Sequence, residues 1–245
     1  MVEHRPVLIG GPVGHGPTTS VALVLHGGRE HGTMPTGRTQ LSYLRMLDFV
    51  RGLRRRSTGC AIYRLRYRVR GWNPGQDVPD PVRDAHWALN QLADRHTGVP
   101  VALLGHSMGG RAAFAVAGRD DVVGVCGLAP WLPEGEPLPA TVRPGQRFVI
   151  AHGTSDQMTS SPLSREYAAR MRAAGHQVAR FELPGARHAL LDRPRLWRSF
   201  AVRTTLGLVG DGPMPPGVEA SLARTSQDGF DLALDGYDTG FHGVT

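Results

Sequence analysis

Residues 100–113 of the chain read PVALLGHSMGGRAA. A run of small apolar residues, typical of a buried strand, ends at Gly105, and small helix-forming residues follow Gly110. Glycines alone would satisfy a structural turn, yet this turn also holds one hydroxyl, that of Ser107. A nucleophile needs an exposed oxygen, a tight backbone and room on both sides for substrate and base. The stretch therefore predicts a strand, a sharp turn that carries Ser107, and a helix.

The rest of the chain repeats this alternation of strands and helices. Apolar runs predict strands over residues 21–28, 60–67, 100–105, 122–130, 146–153 and 177–185. Apolar residues at helical spacing predict helices over residues 39–56, 82–96, 109–119, 161–175 and 193–207. Continuous apolar strands that alternate with helices are typical of an α/β fold, a mostly parallel central sheet flanked by helices on both faces. Ligands of such sheets bind beyond the carboxyl ends of the strands, so residues at the strand ends are the candidates for function.

The length of 245 residues suits one large domain, which we expect over residues 1–207. From residue 208 to 245 the pattern dissolves into Gly, Pro and Asp, which predicts a C-terminal tail that is loosely packed or disordered. We see no apolar region typical of a signal peptide and no run long enough to span a bilayer. We therefore expect a soluble, cytoplasmic protein with no membrane partner.

The net charge of +7 raises the possibility of a nucleic-acid partner, which the pattern of charges does not favour. All 28 basic residues are arginines, and this excludes a Schiff-base lysine or a lysine-bearing phosphate loop. The densest basic stretch, residues 51–71, covers a predicted helix end and alternate positions of a predicted strand. Because no zinc-ligand spacing or aromatic-rich RNA-binding pattern accompanies it, it indicates a solvated face. We expect no nucleic-acid partner, no metal and no cofactor.

Three predicted strand ends carry residues that could act together. Gly105–Gly109 fits the pattern G-x-S-x-G in the strand–turn–helix context that the motif requires. Asp156 lies just past a later strand, and His188 lies in the loop after the next one. A serine nucleophile needs a base, and the base needs an orienting acid, so this order of residues predicts a Ser–Asp–His triad. Glu134 and Asp192 are rival carboxylates, but one lies well beyond its strand and the other follows the histidine too closely.

These motifs resemble those of the α/β-hydrolase superfamily, and the resemblance extends over roughly residues 2–205. The matching pieces are LHGG, VRGWN, GHSMGG, HGTSD and GARHALL. The resemblance implies that Ser107 is the nucleophile, that His188 is the general base and then the acid, and that Asp156 is the orienting carboxylate. It also implies an esterase-like serine hydrolase of the same fold.

The resemblance further implies that the backbone N–H groups of Gly28 and Met108 form an oxyanion hole. Many members of the superfamily insert a helical lid where this chain has only WLPEGEPLPATVRPG, residues 131–145. We therefore expect no large lid domain and a shallow pocket, with Trp131, Trp72 and Met158 as candidate walls.

The expected reaction is cleavage of a carboxylic ester of a small molecule through a covalent acyl-enzyme. A peptidase, a thioesterase or a cofactor-free perhydrolase would use the same triad, so these alternatives stay open. A non-catalytic binding protein on the same fold is the alternative from another class. The oligomeric state cannot be predicted from the sequence.

Overall fold

The computed structural model describes residues 4–75, 77–141, 143–226 and 229–238. The strands are β1 (Val7–Gly11), β2 (Ser20–Leu25), β3 (Cys60–Arg66), β4 (Val101–His106), β5 (Val122–Leu128), β6 (Arg147–Gly153), β7 (Gln177–Leu183) and β8 (Leu232–Ala233). The helices are α1 (Leu41–Arg56), α2 (Asp80–Arg95), α3 (Met108–Ala115), α4 (Ser161–Ala173), α5 (Pro194–Leu208) and α6 (Pro216–Leu222). A short 3₁₀ helix covers Leu234–Gly236.

The eight strands form one sheet in the order β1-β3-β2-β4-β5-β6-β7-β8. Every neighbouring pair is parallel except β1 and β3, which pair antiparallel with Val7 opposite Arg66. The sequence did not predict β1, because its five residues VLIGG are short and end in two glycines. The order of the central strands brings the carboxyl ends of β2, β4, β5, β6 and β7 to one edge of the sheet.

Both faces of the sheet are covered, because successive strand side chains point to opposite sides. In β2, Val21, Leu23 and Leu25 belong to the core on the face covered by α2, α3 and α4, whereas Ala22 and Val24 belong to the core on the face covered by α1, α5 and α6. The predicted α/β fold, a mostly parallel sheet flanked by helices on both faces, is therefore confirmed. Among the described residues no helix is both long and apolar enough to cross a bilayer.

The C-terminal segment, residues 209–238, differs from the expectation of a loose tail. Its helix α6 packs on β6 and β7, and its strand β8 pairs with β7 through Phe181 and Leu232. Five of its large apolar side chains are buried in the two cores: Val218, Leu222, Phe230, Leu234 and Tyr237. The expectation was wrong for the described residues, because these apolar side chains anchor a segment whose composition is otherwise that of a loop. Residues 227–228 and 239–245 lie outside the described part of the chain.

Truncation of Phe230 tests this packing. Its ring is fully buried and lies 3.9 Å from the Arg172 guanidinium, so Phe230→Ala should lower the free energy of unfolding by about 3–5 kcal/mol. Urea titration followed by circular dichroism measures the loss. The control is Thr225→Ala, an exposed position of the same segment, which should change the free energy by less than about 0.5 kcal/mol. Equal stability of the two variants would mean that the segment is loose in solution.

Candidate active site

Ser107 lies in a strained turn between β4 and α3, which we call the Ser107 turn (residues 105–110). Its φ of 56° and ψ of −123° belong to a region that non-glycine residues rarely adopt, at a cost of about 1–3 kcal/mol. The backbone around it supports this conformation. The Ser107 N–H donates to the Leu128 carbonyl at 3.1 Å, and the Ser107 carbonyl accepts from the Trp131 N–H at 3.1 Å. Strand β5 and the loop after it thus hold the turn in place.

Two glycines permit the close approach of the strand to the helix. A Cβ atom at Gly105 would lie 2.4 Å from the Gly109 carbonyl oxygen, and one at Gly109 would lie 2.4 Å from the Leu25 carbonyl oxygen. Both contacts are with backbone atoms, which cannot move aside as a flexible side chain can. The glycines of the motif are therefore required by packing, independently of any chemistry at Ser107.

Adding a methyl group at Gly109 tests this constraint. Gly109→Ala should lower the free energy of unfolding by about 1–3 kcal/mol, because the new Cβ overlaps the end of β2. Gly118→Ala is the matched control, since nothing lies within 4 Å of its Cβ position just beyond α3. Chemical denaturation of both variants measures the difference. If Gly109→Ala is as stable as Gly118→Ala, the close approach is not needed for the fold.

The loops after β6 and β7 bring Asp156 and His188 together. A Cβ atom at Gly153 would lie 2.2 Å from the Ala186 carbonyl oxygen, and the Ser155 N–H donates to that same oxygen at 3.1 Å. This tight contact between the loops leaves His188 Nδ1 at 2.8 Å from Asp156 Oδ2. The predicted pairing of these two side chains is thus present in the structure.

The carboxylate of Asp156 is surrounded by donors. Oδ1 accepts the N–H groups of Met158 and Thr159 at 2.8 and 2.9 Å, and Oδ2 accepts the Thr159 hydroxyl at 2.9 Å. A second histidine, His152, is fully buried with its Nε2 at 3.3 Å from Oδ2. Burial opposes the charged form of Asp156, but the hydrogen bonds from His152 and His188 outweigh it and hold the pKa well below its usual range. Asp156 is therefore ionised at neutral pH.

Two neighbours complete the surroundings of the His188 imidazole. The Thr159 hydroxyl lies 3.2 Å from His188 Nδ1, and His106 Nε2 donates to the His188 carbonyl at 3.0 Å. Burial, and then the nearby His188, lower the pKa of His106 to about 3, so that His106 is neutral. Thr159 was not predicted from the sequence. The local signal was Asp156 itself, because an aspartate in a turn often accepts the backbone N–H two residues further on, as it does here from Met158.

A cavity of about 540 Å³ opens at this edge of the sheet. Six of the predicted site residues line it: Gly28, Ser107, Met108, Trp131, Met158 and His188. Asp156 lies behind His188. Among the described residues no hydrogen bond joins the Ser107 hydroxyl to His188, although both face this cavity. Met158 and Leu41 at the rim are 76% and 77% exposed, so the cavity is open to solvent.

Trp72, expected as a wall of the pocket, does not line this cavity. Its side chain is buried, and its ring lies edge to face with that of Trp131 at 6.0 Å between centroids. The Arg111 guanidinium lies 4.0 Å from the Trp72 ring and 4.5 Å from the Trp131 ring, and it pairs with Glu136 at 2.7 Å. Trp72 therefore supports the wall that Trp131 forms.

Two backbone donors border the cavity beside Ser107. Met108 is the first residue of α3, where a backbone N–H has no partner within the helix. In the described ranges no acceptor is found for the N–H of either Met108 or Gly28. His26 holds the Gly28 loop, with Nδ1 at 2.6 Å from the Gly27 carbonyl oxygen and Nε2 accepting the Tyr67 N–H at 3.3 Å. Burial lowers the pKa of His26 to about 4, so this histidine is neutral.

The other candidates lie away from this arrangement. Glu134 is exposed on the loop after β5, and Asp192 pairs with Arg187 at 2.9 Å. The described residues include no cluster of three or more His, Cys, Asp or Glu side chains that could hold a metal ion. Between β5 and β6 the described residues form loops and turns without a helix, so no lid covers the cavity from there.

Comparisons with known proteins agree with this description. Residues 70–149, about a third of the chain, match the sequence family described as serine aminopeptidase, S33. This stretch includes Ser107 but ends before Asp156 and His188. No match is found among curated proteins.

Several solved structures share the fold. A serine hydrolase homologue from Coxiella burnetii has a TM-score of 0.60 at 14% identity, over 81% of this chain and 91% of that one. A serine hydrolase without a lid from Xanthomonas campestris has a TM-score of 0.59 at 16% identity, over 84% and 95%. An esterase from Pyrobaculum calidifontis has a TM-score of 0.58 at 17% identity, over 82% and 84%. The chain therefore has the α/β-hydrolase fold, as the resemblance in its sequence implied.

Proposed function

We propose that the protein is a serine hydrolase that cleaves a carboxylic ester of a small molecule through an acyl-enzyme on Ser107. The observation that carries this proposal is the paired Asp156 and His188 at the cavity into which the strained turn presents Ser107. A structural serine has no need of a strained backbone, two unpaired N–H groups and a histidine paired with an ionised carboxylate. Together they are the parts of an acyl-transfer site.

The geometry supports a specific division of labour. Because ionised Asp156 accepts the Nδ1–H of His188, the Nε2 atom of the neutral ring is left to act as the base. The Ser107 oxygen attacks the substrate carbonyl carbon while its proton passes to Nε2. The N–H groups of Gly28 and Met108 donate to the oxyanion that forms. Hydrogen bonds between nucleophile and base often tighten only when substrate is bound, so we expect the Ser107–His188 contact to form in the complex.

The second half of the reaction uses the same groups. The tetrahedral intermediate collapses, and the departing alkoxide takes the proton from His188 Nε2. A water molecule then gives a proton to His188 and attacks the acyl-enzyme, and collapse of the second intermediate returns that proton to Ser107. The product acid leaves and the free enzyme is restored.

An amide substrate is the strongest rival within the enzyme class. It is favoured by the partial match to the serine aminopeptidase family, which covers the Ser107 turn. The ester is favoured by the open cavity, which offers little enclosure for a peptide, and by the esterase among the structural relatives. Hydrolysis of p-nitrophenyl esters, thioesters and aminoacyl p-nitroanilides, measured side by side, distinguishes the two. Thioester hydrolysis or perhydrolysis would need only a change of leaving group or of attacking nucleophile.

Removal of the nucleophile tests the proposal directly. Ser107→Ala should lose covalent labelling by a fluorophosphonate probe and lower kcat by several orders of magnitude, with the fold unchanged by circular dichroism. Asp156→Asn should keep the geometry but favour the wrong imidazole tautomer, lowering kcat by a factor on the order of 10⁴. Glu134→Gln, at an exposed carboxylate, is the matched control and should be nearly silent. Retention of most of the ester hydrolysis by Ser107→Ala would refute the assignment, and absent labelling of the wild type would favour a binding protein.

The open cavity also predicts the length of acyl chain that the enzyme prefers. Each methylene that is buried on binding contributes about 0.8 kcal/mol, and a shallow cavity buries few of them. Among p-nitrophenyl esters, acetyl and butyryl should therefore have higher kcat/KM than octanoyl and palmitoyl. A steady rise towards palmitoyl, or activity only at a lipid interface, would show that other loops close over the chain. That result would not bear on the assignment of the triad.

A further inference from the structure

Arg45 brings a positive charge to the wall of the same cavity. It projects from α1, is partly buried, and lines the cavity together with Ser107 and His188. Its guanidinium Nη1 donates to the Ala189 carbonyl, directly after His188 in the chain. Burial lowers its pKa from the usual arginine value. An arginine side chain nevertheless stays charged near neutral pH. A permanent cation therefore lies beside the proposed catalytic residues.

No carboxylate within the described ranges pairs with Arg45. The nearest acidic residue along α1, Asp48, pairs instead with Arg198 at 3.0 Å. Arg111, which packs against Trp72 and Trp131, shows the usual arrangement for a largely buried guanidinium, with Glu136 at 2.7 Å. Glu30 also lines the cavity, but it is exposed at the rim with His31 Nε2 at 3.8 Å. Within the described part of the chain, the charge of Arg45 thus has no counter-ion.

We propose that Arg45 binds a carboxylate group of the substrate, so that the enzyme prefers esters that carry a negative charge near the scissile bond. This inference rests on the proposed function. A guanidinium offers five N–H donors in a planar fork that fits a carboxylate, and the bond to Ala189 uses only one side of it. The exposed Arg29 at the same cavity adds to the attraction of an anion. The partly enclosed position of Arg45 makes the pairing stronger than one at an open surface.

The carboxylate could belong to the acyl part or to the alcohol part of the ester, and matched substrates separate the two. For the acyl part we choose mono-p-nitrophenyl adipate and its methyl ester, since shorter diacid monoesters hydrolyse themselves through cyclic anhydrides. For the alcohol part we choose 4-acetoxybenzoate and its methyl ester. Within each pair the esters differ in charge, and any difference in their intrinsic reactivity is the same for every variant. The change between variants in the ratio of kcat/KM for the charged ester to that for the neutral ester therefore measures recognition of the anion.

The variants are chosen to separate charge recognition from damage to the site. Arg45→Gln removes the charge from α1 with a good helix former, and Arg45→Lys retains a cation without the planar fork. Arg51→Gln is the matched control, because Arg51 is exposed on the same helix and lies outside the cavity. Disturbance of His188 through the lost bond to Ala189 would slow both esters of a pair equally and leave the ratio unchanged.

In the wild type we expect a ratio above one for at least one of the two pairs. Arg45→Gln should lower that ratio by about tenfold to a hundredfold, the range for a hydrogen-bonded charge pair. Arg45→Lys should restore part of it, Arg51→Gln should keep it, and added salt should reduce it in the wild type. Hydrolysis with a ratio that Arg45→Gln does not change would overturn this subsite alone. Failure to hydrolyse any of the four esters would overturn the proposed function, and the subsite with it.

Discussion

The close contact of β4 with α3 at the Ser107 turn is the constraint on which the rest of the site depends. It is possible only because Gly105 and Gly109 lack side chains, and it holds Ser107 at a positive φ that would relax in an unsupported loop. The energy that maintains this strain comes from the backbone bonds to β5 and to the loop after it. The same turn starts α3 directly after the serine, so the unpaired N–H groups of the first helical turn lie beside the hydroxyl. The strained backbone of Ser107, the N–H donors of α3 and the position of the hydroxyl therefore all follow from the same turn.

Burial and hydrogen bonding determine which of the ionisable groups around the site are charged. Three histidines near the site, His26, His106 and His152, are buried, and burial lowers the pKa of each. Neutral imidazoles can hold loops and orient groups without adding charge. The side chain of Asp156 is buried as well, but it stays ionised because several hydrogen-bond donors surround its carboxylate. A negative charge fixed behind His188 stabilises the imidazolium that would form when this ring takes a proton. Because the three histidines are neutral, the negative charge that lies directly behind the proposed base is that of Asp156.

The sequence alone was enough to predict those features of the site that depend on a residue's place at the end of a strand. Ser107, Asp156 and His188 each follow an apolar run, and a parallel sheet brings such ends to one edge, so their proximity could be predicted without coordinates. Contacts between distant segments could not be predicted. Trp72 resembles a pocket residue until its buried ring is seen to pack against Trp131 and Arg111 outside the cavity lining. Phe230 and Leu234 lie in a stretch with the composition of a loop, and only their burial against the sheet shows them to be core residues. Thr159 acquires its place only through the fold of the loop that contains Asp156.

The net charge of +7 bears on every unpaired arginine of the chain. With more basic than acidic residues, some arginines must lack a carboxylate, and most of those are solvated at the surface at little cost. Burial changes this balance, because a desolvated guanidinium without a counter-ion is unfavourable. At Arg111 and Arg180 the free-energy cost of desolvation is offset by ion pairs with Glu136 and Glu182. At Arg45 the described residues offset the cost only in part, through the Ala189 carbonyl, and the side chain lines a cavity. An incompletely compensated charge in that position is stabilised further by an anionic ligand, and it therefore links the composition of the chain to the chemistry of its substrate.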